Sequence, residues 1–392
     1  MKTKSKIPAL RFKGFTDAWE QRKLIDYLEV SKEKNKNEVF GKEDVLSVSG
    51  DYGIVNQIEF QGRSFAGASV APYGIVDTGD IVYTKSPLKS NPYGIIKANK
   101  GKTGIVSTLY AVYKPLDNVC SDFVQIYFEQ DARMNNYMRP LVNKGAKNDM
   151  KVSDVNALKG EVCFPSKYEQ IKISEHFAKL DRLIALHQRK CDQTKELKKT
   201  MLQKMFPKKG ERIPEIRFPE FTDEWEEKKL GEVVDREIKG KAKANMQGTK
   251  SIYLETEYLN GGETTFVDSD ADIEEDDILI LWDGSQAGTV YHGFFGALGS
   301  TLKAYRPKES GKFVYYQLVA HQEMIFQRYR TPNIPHVIKT FTDEFSVFTT
   351  SLSEQERIGN FFKHLDTLIA LHQSKCDSLK ELKKTLLRQL FV

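Results

Sequence analysis

Two short segments of the sequence resemble fragments of catalytic or nucleotide-binding motifs, and both are incomplete. Gly101–Gly104 has the Gly-Lys-Thr end of a phosphate-binding loop, but Ile96 stands where that loop needs its first glycine. Ser90–Gly94 resembles the Asn-Pro-Pro-aromatic motif of base methyltransferases, which grips a base flipped out of the duplex. It lacks the second proline, and no glycine-rich cofactor fingerprint precedes it. A turn is the simpler reading of this segment.

The acidic run Asp268–Asp277 is the densest group of side chains that could hold Mg²⁺ for a nuclease. Its carboxylates are adjacent in sequence and lack the glycine spacing of a calcium loop, which favours a solvated loop before a strand. The seven histidines form no zinc-hydrolase pattern, and there is no GxSxG nucleophile motif. We expect a non-catalytic recognition or scaffold protein, with no metal or cofactor bound directly.

Side chains suited to reading DNA concentrate in loops. Lys, Arg, Asn, Gln, Ser and Thr can hydrogen-bond to base edges, and Lys and Arg also neutralise phosphates. The candidates are Lys85, Ser86, Lys89, Asn91, Tyr93, Lys100, Lys102, Lys144, Lys147, Asn148 and Lys151 in the first half, and Trp282, Ser285, Gln286, Arg328, Arg330, Thr331, Asn333, His336 and Lys339 in the second. Each cluster alone could be an ordinary solvated loop. Their occurrence in equivalent loops of both halves favours DNA contact.

The charge distribution partly opposes this interpretation. The net charge is +5, but residues 213–350 hold 24 carboxylates against 15 Lys and Arg. A phosphate-binding surface needs local positive charge. Many of these carboxylates lie in Glu215–Glu237 and Asp268–Asp277, and we expect them to face away from DNA. The only other basic run of this segment is Lys239–Lys250.

Length and composition limit the classes of protein that are possible. A chain of 392 residues predicts two or three domains, and 40% hydrophobic residues suffice for globular cores. No run of about 18 apolar residues exists, which argues against a membrane span. The basic N-terminal residues precede no apolar segment, so a secretory signal is not expected. Four cysteines without a CxxC pair are typical of a reducing compartment, and we expect the cytoplasm.

The sequence contains an internal repeat, in which two blocks each occur twice. Ile7–Leu24 returns as Ile213–Leu230 with 11 of 18 positions identical, and Glu169–Phe206 returns as Glu354–Phe391 with 23 of 38 identical. A period this long excludes a solenoid and indicates a tandem duplication of a whole domain plus a helix. The repeats divide the chain into four segments, residues 1–166, 167–212, 213–350 and 351–392. We expect a mixed α/β domain in the first and third segments and a long helix in the second and fourth.

The two helical blocks carry a heptad-like seam of apolar or small residues, which predicts long paired helices. The seam residues are Phe177, Leu180, Ile184, His187 and Cys191 in the first copy, and Phe362, Leu365, Ile369, His372 and Cys376 in the second. Antiparallel packing within one chain is the simplest arrangement, and pairing between two chains is the alternative. A metal site of two His and two Cys is conceivable, but polar seam residues that set the register are favoured.

The segments between the repeated blocks differ in sequence but align in outline. Each has a β-branched run ending in a polar loop, Gly79–Pro87 and Asp276–Gly288, and a later strand, Gly104–Pro115 and Gly299–Pro307. A helix is predicted after each, Ser121–Met138 and Lys312–Tyr329. A closing strand is predicted within Gly160–Ser166 and within Glu344–Thr350. These elements predict an α+β fold.

The tandem layout resembles the specificity subunit of bacterial type I restriction–modification systems. The motifs IPxxRFxxFTDxWExxKL and EQxxIxxxFxxLDxLIALHQxKCDxxKELKKTxL, each present twice, carry the resemblance over the whole chain. It implies two target-recognition domains, each reading one half of a bipartite, asymmetric site in double-stranded DNA. It also implies that the two long helices form an antiparallel coiled coil, holding the domains apart in a pseudo-two-fold arrangement.

The same resemblance implies partners that supply the chemistry. Two modification subunits would bind S-adenosylmethionine and methylate adenine, and two restriction subunits would use ATP and Mg²⁺ for cleavage; no membrane is involved. The resemblance carries no catalytic residue over to this chain. Two alternatives stay open. One is a coiled-coil scaffold that organises protein partners without reading DNA, which the acidic second half favours. The other is a self-contained nuclease or methyltransferase, against which the incomplete motifs argue.

Overall fold

Each half of the chain builds a four-stranded antiparallel sheet flanked by short helices. The computed structural model describes residues 7–85, 91–144 and 150–392, except for the side chains of residues 143, 144, 150 and 151. Two units are distinguished. The first consists of residues 1–186 and Cys376–Val392, and the second of His187–Lys375. Each long helix therefore contributes to both units.

The sheet of the first unit has the strand order β2-β9-β6-β7, and all neighbouring strands run antiparallel. Four separate two-stranded sheets accompany it, formed by β1 with β12, β3 with β4, β5 with β8 and β10 with β11. In chain order the strands are β1 (Glu20–Lys23), β2 (Leu28–Val30), β3 (Leu46–Ser49), β4 (Gly53–Asn56), β5 (Gly74–Val76), β6 (Ile81–Thr84), β7 (Ile96–Ala98), β8 (Gly104–Val106), β9 (Tyr110–Pro115), β10 (Asn143–Lys144), β11 (Met150–Lys151) and β12 (Glu161–Phe164). The helices are α1 (Gln57–Gln61), α2 (Ser121–Tyr127), α3 (Asp131–Met138) and α4 (Lys167–Lys204), which continues into the second unit.

Aromatic side chains fill the core of the first unit. Tyr83 and Tyr113, on the neighbouring strands β6 and β9, are almost fully buried. Phe123 of α2 packs edge-on against Trp19, with ring centroids 6.1 Å apart. Phe391, from the other end of the chain, lies 5.6 Å from the Phe123 ring. Large rings bury much apolar area per residue, so these contacts contribute strongly to the stability of the unit.

The sheet of the second unit has the corresponding order, β14-β20-β17-β18, and is again antiparallel. A three-stranded sheet, β16-β15-β19, and the pair β13-β21 lie beside it. The strands are β13 (Glu226–Lys229), β14 (Val234–Lys239), β15 (Gln247–Leu254), β16 (Phe266–Val267), β17 (Ile278–Leu281), β18 (Val290–His292), β19 (Ala297–Leu298), β20 (Leu302–Pro307) and β21 (Ser346–Thr349). The helices are α5 (Leu230–Val233), α6 (Thr256–Leu259), α7 (Gly311–Ala320), α8 (Gln322–Arg328), α9 (Phe341–Glu344) and α10 (Leu352–Gln389).

The long helices α4 and α10 run antiparallel inside each unit. In the second unit, Cys191 Sγ lies 3.8 Å from Ile369 O, and Lys198 Nζ pairs with Asp366 Oδ1 at 2.5 Å. The partner residue number falls as the α4 residue number rises, which defines the antiparallel direction. In the first unit, Cys376 lies against Ile184 O at 3.9 Å and Phe391 against Phe177 at 6.2 Å, in the same antiparallel sense.

Equivalent contacts anchor the short repeated block to the helices in both units. In the first unit, Arg11 makes two 2.8 Å hydrogen bonds to the carboxylate of Glu169. In the second, Arg217 makes the same pair of bonds to Glu354, at 2.7 and 2.8 Å. The N–H of Leu10 donates to Gln389 O at 3.0 Å, and the N–H of Ile216 donates to Lys204 O at 2.9 Å. The duplication is thus one of structure as well as of sequence.

The two predicted helices Ser121–Met138 and Lys312–Tyr329 are each divided in two. The first breaks between α2 and α3, where Arg133 Nη1 donates to Tyr127 O at 2.9 Å. The second breaks at His321, whose Nδ1 lies 2.8 Å from Gln317 O. At the first break the arginine side chain satisfies a carbonyl at the end of α2, whereas at the second Gln317 O also accepts from the His321 N–H at 3.2 Å. The apolar periodicity does not reveal such a capture.

The predicted fold class is confirmed as α+β, with the two long helices paired antiparallel. Helix α4 begins at Lys167 and α10 at Leu352, within one residue of the predicted starts of the helical segments. The division into four segments drawn from the sequence stays a prediction.

Candidate nucleic-acid interface

A short hairpin in the second unit carries four of the nine candidate DNA-reading residues of that half, and Arg328 and Lys339 flank it. Arg330 and Val337 form an antiparallel bridge, and the N–H of Thr331 donates to His336 O at 3.0 Å. Residues 332–335 form its tip. The hydroxyl of Thr331 lies 2.6 Å from Ile334 O and 3.0 Å from His336 Nδ1, so its two sides are tied together.

The hairpin is fixed to the loop that follows β17. The N–H of Val337 donates to Trp282 O at 2.9 Å, and the N–H of Gly284 donates to Pro335 O at 3.0 Å. The guanidinium of Arg330 donates to Ser285 O at 3.2 Å and packs over the Phe326 ring, 4.5 Å from its centroid. The two loops predicted from sequence therefore form one continuous surface.

The candidates on this surface differ in how available their side chains are. Arg330, Thr331 and His336 are half-buried and hold the hairpin. Trp282 is buried, and Lys303 Nζ lies 3.6 Å from its ring centroid. The exposed candidates, which can reach a ligand, are Ser285, Gln286, Arg328, Asn333 and Lys339.

The basic run Lys239–Lys250 lies next to the same surface. The N–H of Ala242 donates to Leu298 O, and the N–H of Ser300 donates to Ala242 O, both at 3.0 Å. The neighbouring Thr301 O accepts from the N–H of Trp282 at 2.8 Å. The exposed side chains of Lys241 and Lys243 thus stand beside the loop after β17 and offer positive charge for phosphates.

Lys303 was not predicted as part of this surface. It is the second residue of β20, and its ammonium pairs with Glu237 at 2.6 Å in addition to its contact with Trp282. The segment Gly299–Pro307 was recognised as a strand, but its position beside the loop after β17 depends on the sheet order. The sequence offers no local signal for that order.

The acidic run before β17 is partly structural. Asp277 is buried and accepts two hydrogen bonds from Arg306, at 2.8 and 2.9 Å. This pairing raises the pKa of Arg306 and fixes its charge. Burial raises the pKa of Asp276, but hydrogen bonds from His292 and the Gly311 N–H outweigh it and leave this pKa below its usual value. These two carboxylates serve the fold, and the predicted loop before the strand is present.

In the first unit, several candidates are engaged within the protein. Lys85 pairs with Asp154 at 2.9 Å, and the buried Asn91 donates to Asp131 at 2.7 Å. Tyr93 is half-buried, and its carbonyl accepts from the Tyr83 hydroxyl at 2.7 Å.

The remaining candidates of this unit are exposed, lie outside the described residues, or are described by their backbone alone. Lys100 and Lys102 are exposed, and Lys100 pairs with Asp122 at 3.0 Å. Four others, Ser86, Lys89, Lys147 and Asn148, lie outside the described residues. For Lys144 and Lys151 only the backbone is described, as part of β10 and β11.

A lysine-rich segment of the first unit was missed. Lys32, Lys34 and Lys36 are exposed and follow β2, as Lys241 and Lys243 follow β14. The buried side chain of Asn35 holds this segment through hydrogen bonds to Phe40 of 2.8 and 3.1 Å. Alternating lysines directly after the first strand of the sheet were the available signal, once the two sheets are aligned.

The ten seam residues lie along the facing sides of α4 and α10. Phe177, Leu180, Cys191, Phe362, Leu365 and Cys376 are buried, whereas Ile184, His187, Ile369 and His372 are half-buried. In the second unit the Nδ1 atoms of His187 and His372 lie 3.2 Å apart. Among the described residues, no three His, Cys, Asp or Glu side chains form a group suited to a metal ion.

Exposed apolar side chains recur at equivalent positions of the two repeats. Ile7 and Ile213 are 51% and 50% exposed, and Leu197 and Leu382 are 43% and 45% exposed. Matching exposure at matching positions in two separate units indicates two similar surfaces.

None of the helices in the described ranges is both long and apolar enough to cross a membrane.

Comparisons with known proteins give one match to a family model and one to a relative. Residues 222–381 match the sequence model of the type I restriction modification DNA specificity domain. The chain is 29% identical over 194 residues to the type I restriction enzyme MjaVIII specificity subunit of Methanocaldococcus jannaschii. That match covers 47% of this chain and 45% of the relative, so less than half of the relative's length is matched.

A solved structure shares the fold over almost the whole chain. The crystal structure of the S subunit of a type I restriction–modification system from M. genitalium is similar over 98% of this chain and 99% of that chain. The TM-score is 0.65 and the identity 16%. Together with the matched domain, this confirms the resemblance drawn from the repeated motifs.

Proposed function

From the DNA specificity domain that the chain carries at residues 222–381, we propose that it is the sequence-reading subunit of a type I restriction–modification complex. Each unit would read one part of a bipartite, asymmetric site. The observation that carries the proposal is the surface of the second unit, where the hairpin, the loop after β17 and the run after β14 bring base-reading and basic side chains together. It supports major-groove reading.

The first unit supplies the second reader by structural equivalence. Its sheet has the same strand order, and its lysine-rich segment occupies the place of the Lys239–Lys250 run. The loops of the two units differ in sequence, so they would read different bases. The paired helices α4 and α10 would space the two readers and thereby set the length of the unread gap.

The chemistry belongs to partners in this proposal. Two modification subunits, binding S-adenosylmethionine, would methylate adenine flipped out of the duplex, and the reading surfaces would hold the target under their pockets. Two restriction subunits would use ATP and Mg²⁺. This chain would bind none of these cofactors directly and would work in the cytoplasm.

The matching exposed residues suggest where the modification subunits dock. Ile7 with Leu382 in the first unit, and Ile213 with Leu197 in the second, are apolar and half exposed. Two similar surfaces suit two copies of one partner. Leu197→Lys together with Leu382→Lys is expected to weaken partner binding in a pull-down. The exposed Leu109→Lys change lies outside the repeated blocks and serves as the control.

The decisive experiment is methylation sequencing of DNA from cells that co-express this chain with a cognate modification subunit. We expect a bipartite, adenine-methylated motif that appears only when this chain is present. An assembled complex that produces no such motif would contradict the proposal. It would support the second candidate, a scaffold that does not read DNA, which the 24 carboxylates of residues 213–350 favour.

A further inference from the structure

Ile334 is more exposed than any other large apolar side chain of the described residues, with 79% of its surface in solvent. It stands at the tip of the hairpin of the second unit, between Asn333 and Pro335. Exposed apolar residues are common singly on protein surfaces, so exposure alone assigns no role. Ile334 differs from other exposed apolar residues in the backbone contacts that hold it and in the polar residues around it.

The tip cannot easily fold Ile334 away. Pro332 and Pro335 restrict the backbone on either side of the Asn333–Ile334 pair. The carbonyl of Ile334 lies 2.6 Å from the Thr331 hydroxyl, and Pro335 O accepts from the Gly284 N–H at 3.0 Å. The fold therefore holds an isoleucine in water, where its side chain gains nothing from burial within the protein.

The neighbours of Ile334 are polar groups that suit base edges. Asn333 is adjacent and exposed, and the loop that carries Ser285 and Gln286 is hydrogen-bonded to the hairpin through Gly284 and Arg330. A protein partner would need a wider apolar patch than one side chain. A single apolar group among hydrogen-bonding groups matches one feature of the major groove, the C5 methyl of thymine.

We propose that Ile334 contacts a thymine methyl in the half-site read by the second unit. The inference rests on the proposed function, because it places the hairpin in the major groove. It names one specificity determinant and its chemical target. Asn333 beside it suits the adenine edge, so an A·T pair is the expected target of the tip.

The test replaces each thymine of the recognised site by uracil, which lacks only the methyl group. The full chain, assembled with its modification subunits, is titrated with each duplex. We expect about fourfold weaker binding for at least one uracil in the half-site of the second unit, the size of one buried methyl-sized group. Ile334→Ala should bind thymine and uracil duplexes alike at that position.

Two controls separate the possible outcomes. Val39→Ala shortens a similarly exposed side chain of the first unit. This variant should still bind the uracil duplex more weakly than the thymine duplex in the half-site of the second unit. Specific binding with no uracil effect, or an Ile334→Ala loss that is equal for both duplexes, would overturn the inference while leaving the proposed function intact. A half-site made only of G·C pairs would also overturn it. A wild-type complex without sequence-specific binding would instead remove the proposed function itself.

Discussion

The arginine–carboxylate pairs at the start of each long helix show what single residues contribute. Glu169 and Glu354 are almost fully buried. Each accepts two hydrogen bonds from an arginine of the short repeated block, Arg11 or Arg217. Burying a charge is costly unless it is paired. The hydrogen bonds to these glutamates raise the pKa of Arg11 and Arg217, so both arginines stay charged.

Replacing one member of such a pair should lower the free energy of unfolding much more than replacing both. Arg217→Met leaves Glu354 buried without its partner and should cost about 3–5 kcal/mol of unfolding free energy. The double change Arg217→Met with Glu354→Gln should cost clearly less. Chemical denaturation of the three proteins measures the difference. Equal losses in the single and double variants would show that the uncompensated charge is not the cause.

The histidine pair of the second unit predicts a dependence of stability on pH. Burial, together with His372, Lys190 and Lys375, lowers the pKa of His187 below its ordinary value of 6.5. The unfolded chain therefore takes up a proton more readily than the folded one. Stability should be fully present above about pH 6.5 and should fall as the pH drops below it.

The variant His187→Gln isolates this effect. It keeps a polar seam residue and removes the titrating group, so its thermal unfolding temperature should vary less between about pH 7 and pH 5 than that of the wild type. His364→Gln, on an exposed position of α10, is the matched control and should retain the wild-type slope. An unchanged slope in His187→Gln would contradict the role of the pair.

At the scale of elements, the sequence predicted those helices and strands that a local residue pattern determines. The seam spacing gave both long helices, and β-branched runs gave β6, β9, β17 and β20. The breaks at Phe128–Gln130 and His321 escaped prediction, because apolar periodicity does not show where a polar side chain meets a helix carbonyl. Lys303 escaped because only the sheet order brings it to Trp282.

The hairpin is an element that can be exchanged. Two of its hydrogen bonds to the loop after β17, at Trp282 and Gly284, join backbone atoms only, so a hairpin of another sequence can dock through them; the bond to Ser285 O needs the Arg330 side chain. Replacing Arg328–Lys339 should change one half of the methylated motif and leave the other half intact. Methylation sequencing reads both halves at once, and an unchanged motif would contradict the assignment of this hairpin.

The matched exchange lies in the other unit. Replacing Lys32–Lys36 should alter or weaken only the half-site of the first unit, because this segment takes the place of the Lys239–Lys250 run. If either exchange altered both halves, the two units would not be independent readers.

At the scale of the whole molecule, each unit is completed by a helix end from the other half of the sequence. The core of the first unit includes Leu386 and Phe391 of α10 and its C-terminal end, and the core of the second includes Met205 and Phe206 just beyond α4. A break in the chain at Lys208–Gly210 would leave these buried contacts intact.

Two separately expressed pieces, residues 1–208 and 209–392, should therefore associate. We expect them to co-purify as a one-to-one pair, and Phe391→Asp should prevent this by placing a charge in an aromatic core. The exposed change Leu371→Asp is the control. Pieces that remain separate would show that the connection itself is needed.

The paired backbone contacts, Leu10 with Gln389 and Ile216 with Lys204, have a consequence for symmetry. The same local junction is closed by a covalent segment in one unit and by packing alone in the other. A polypeptide of half this length could therefore meet its own copy through the same junctions. Such a pair would possess a true dyad and would select palindromes, so the asymmetric target proposed for this chain would result from divergence between the two copies and not from the architecture.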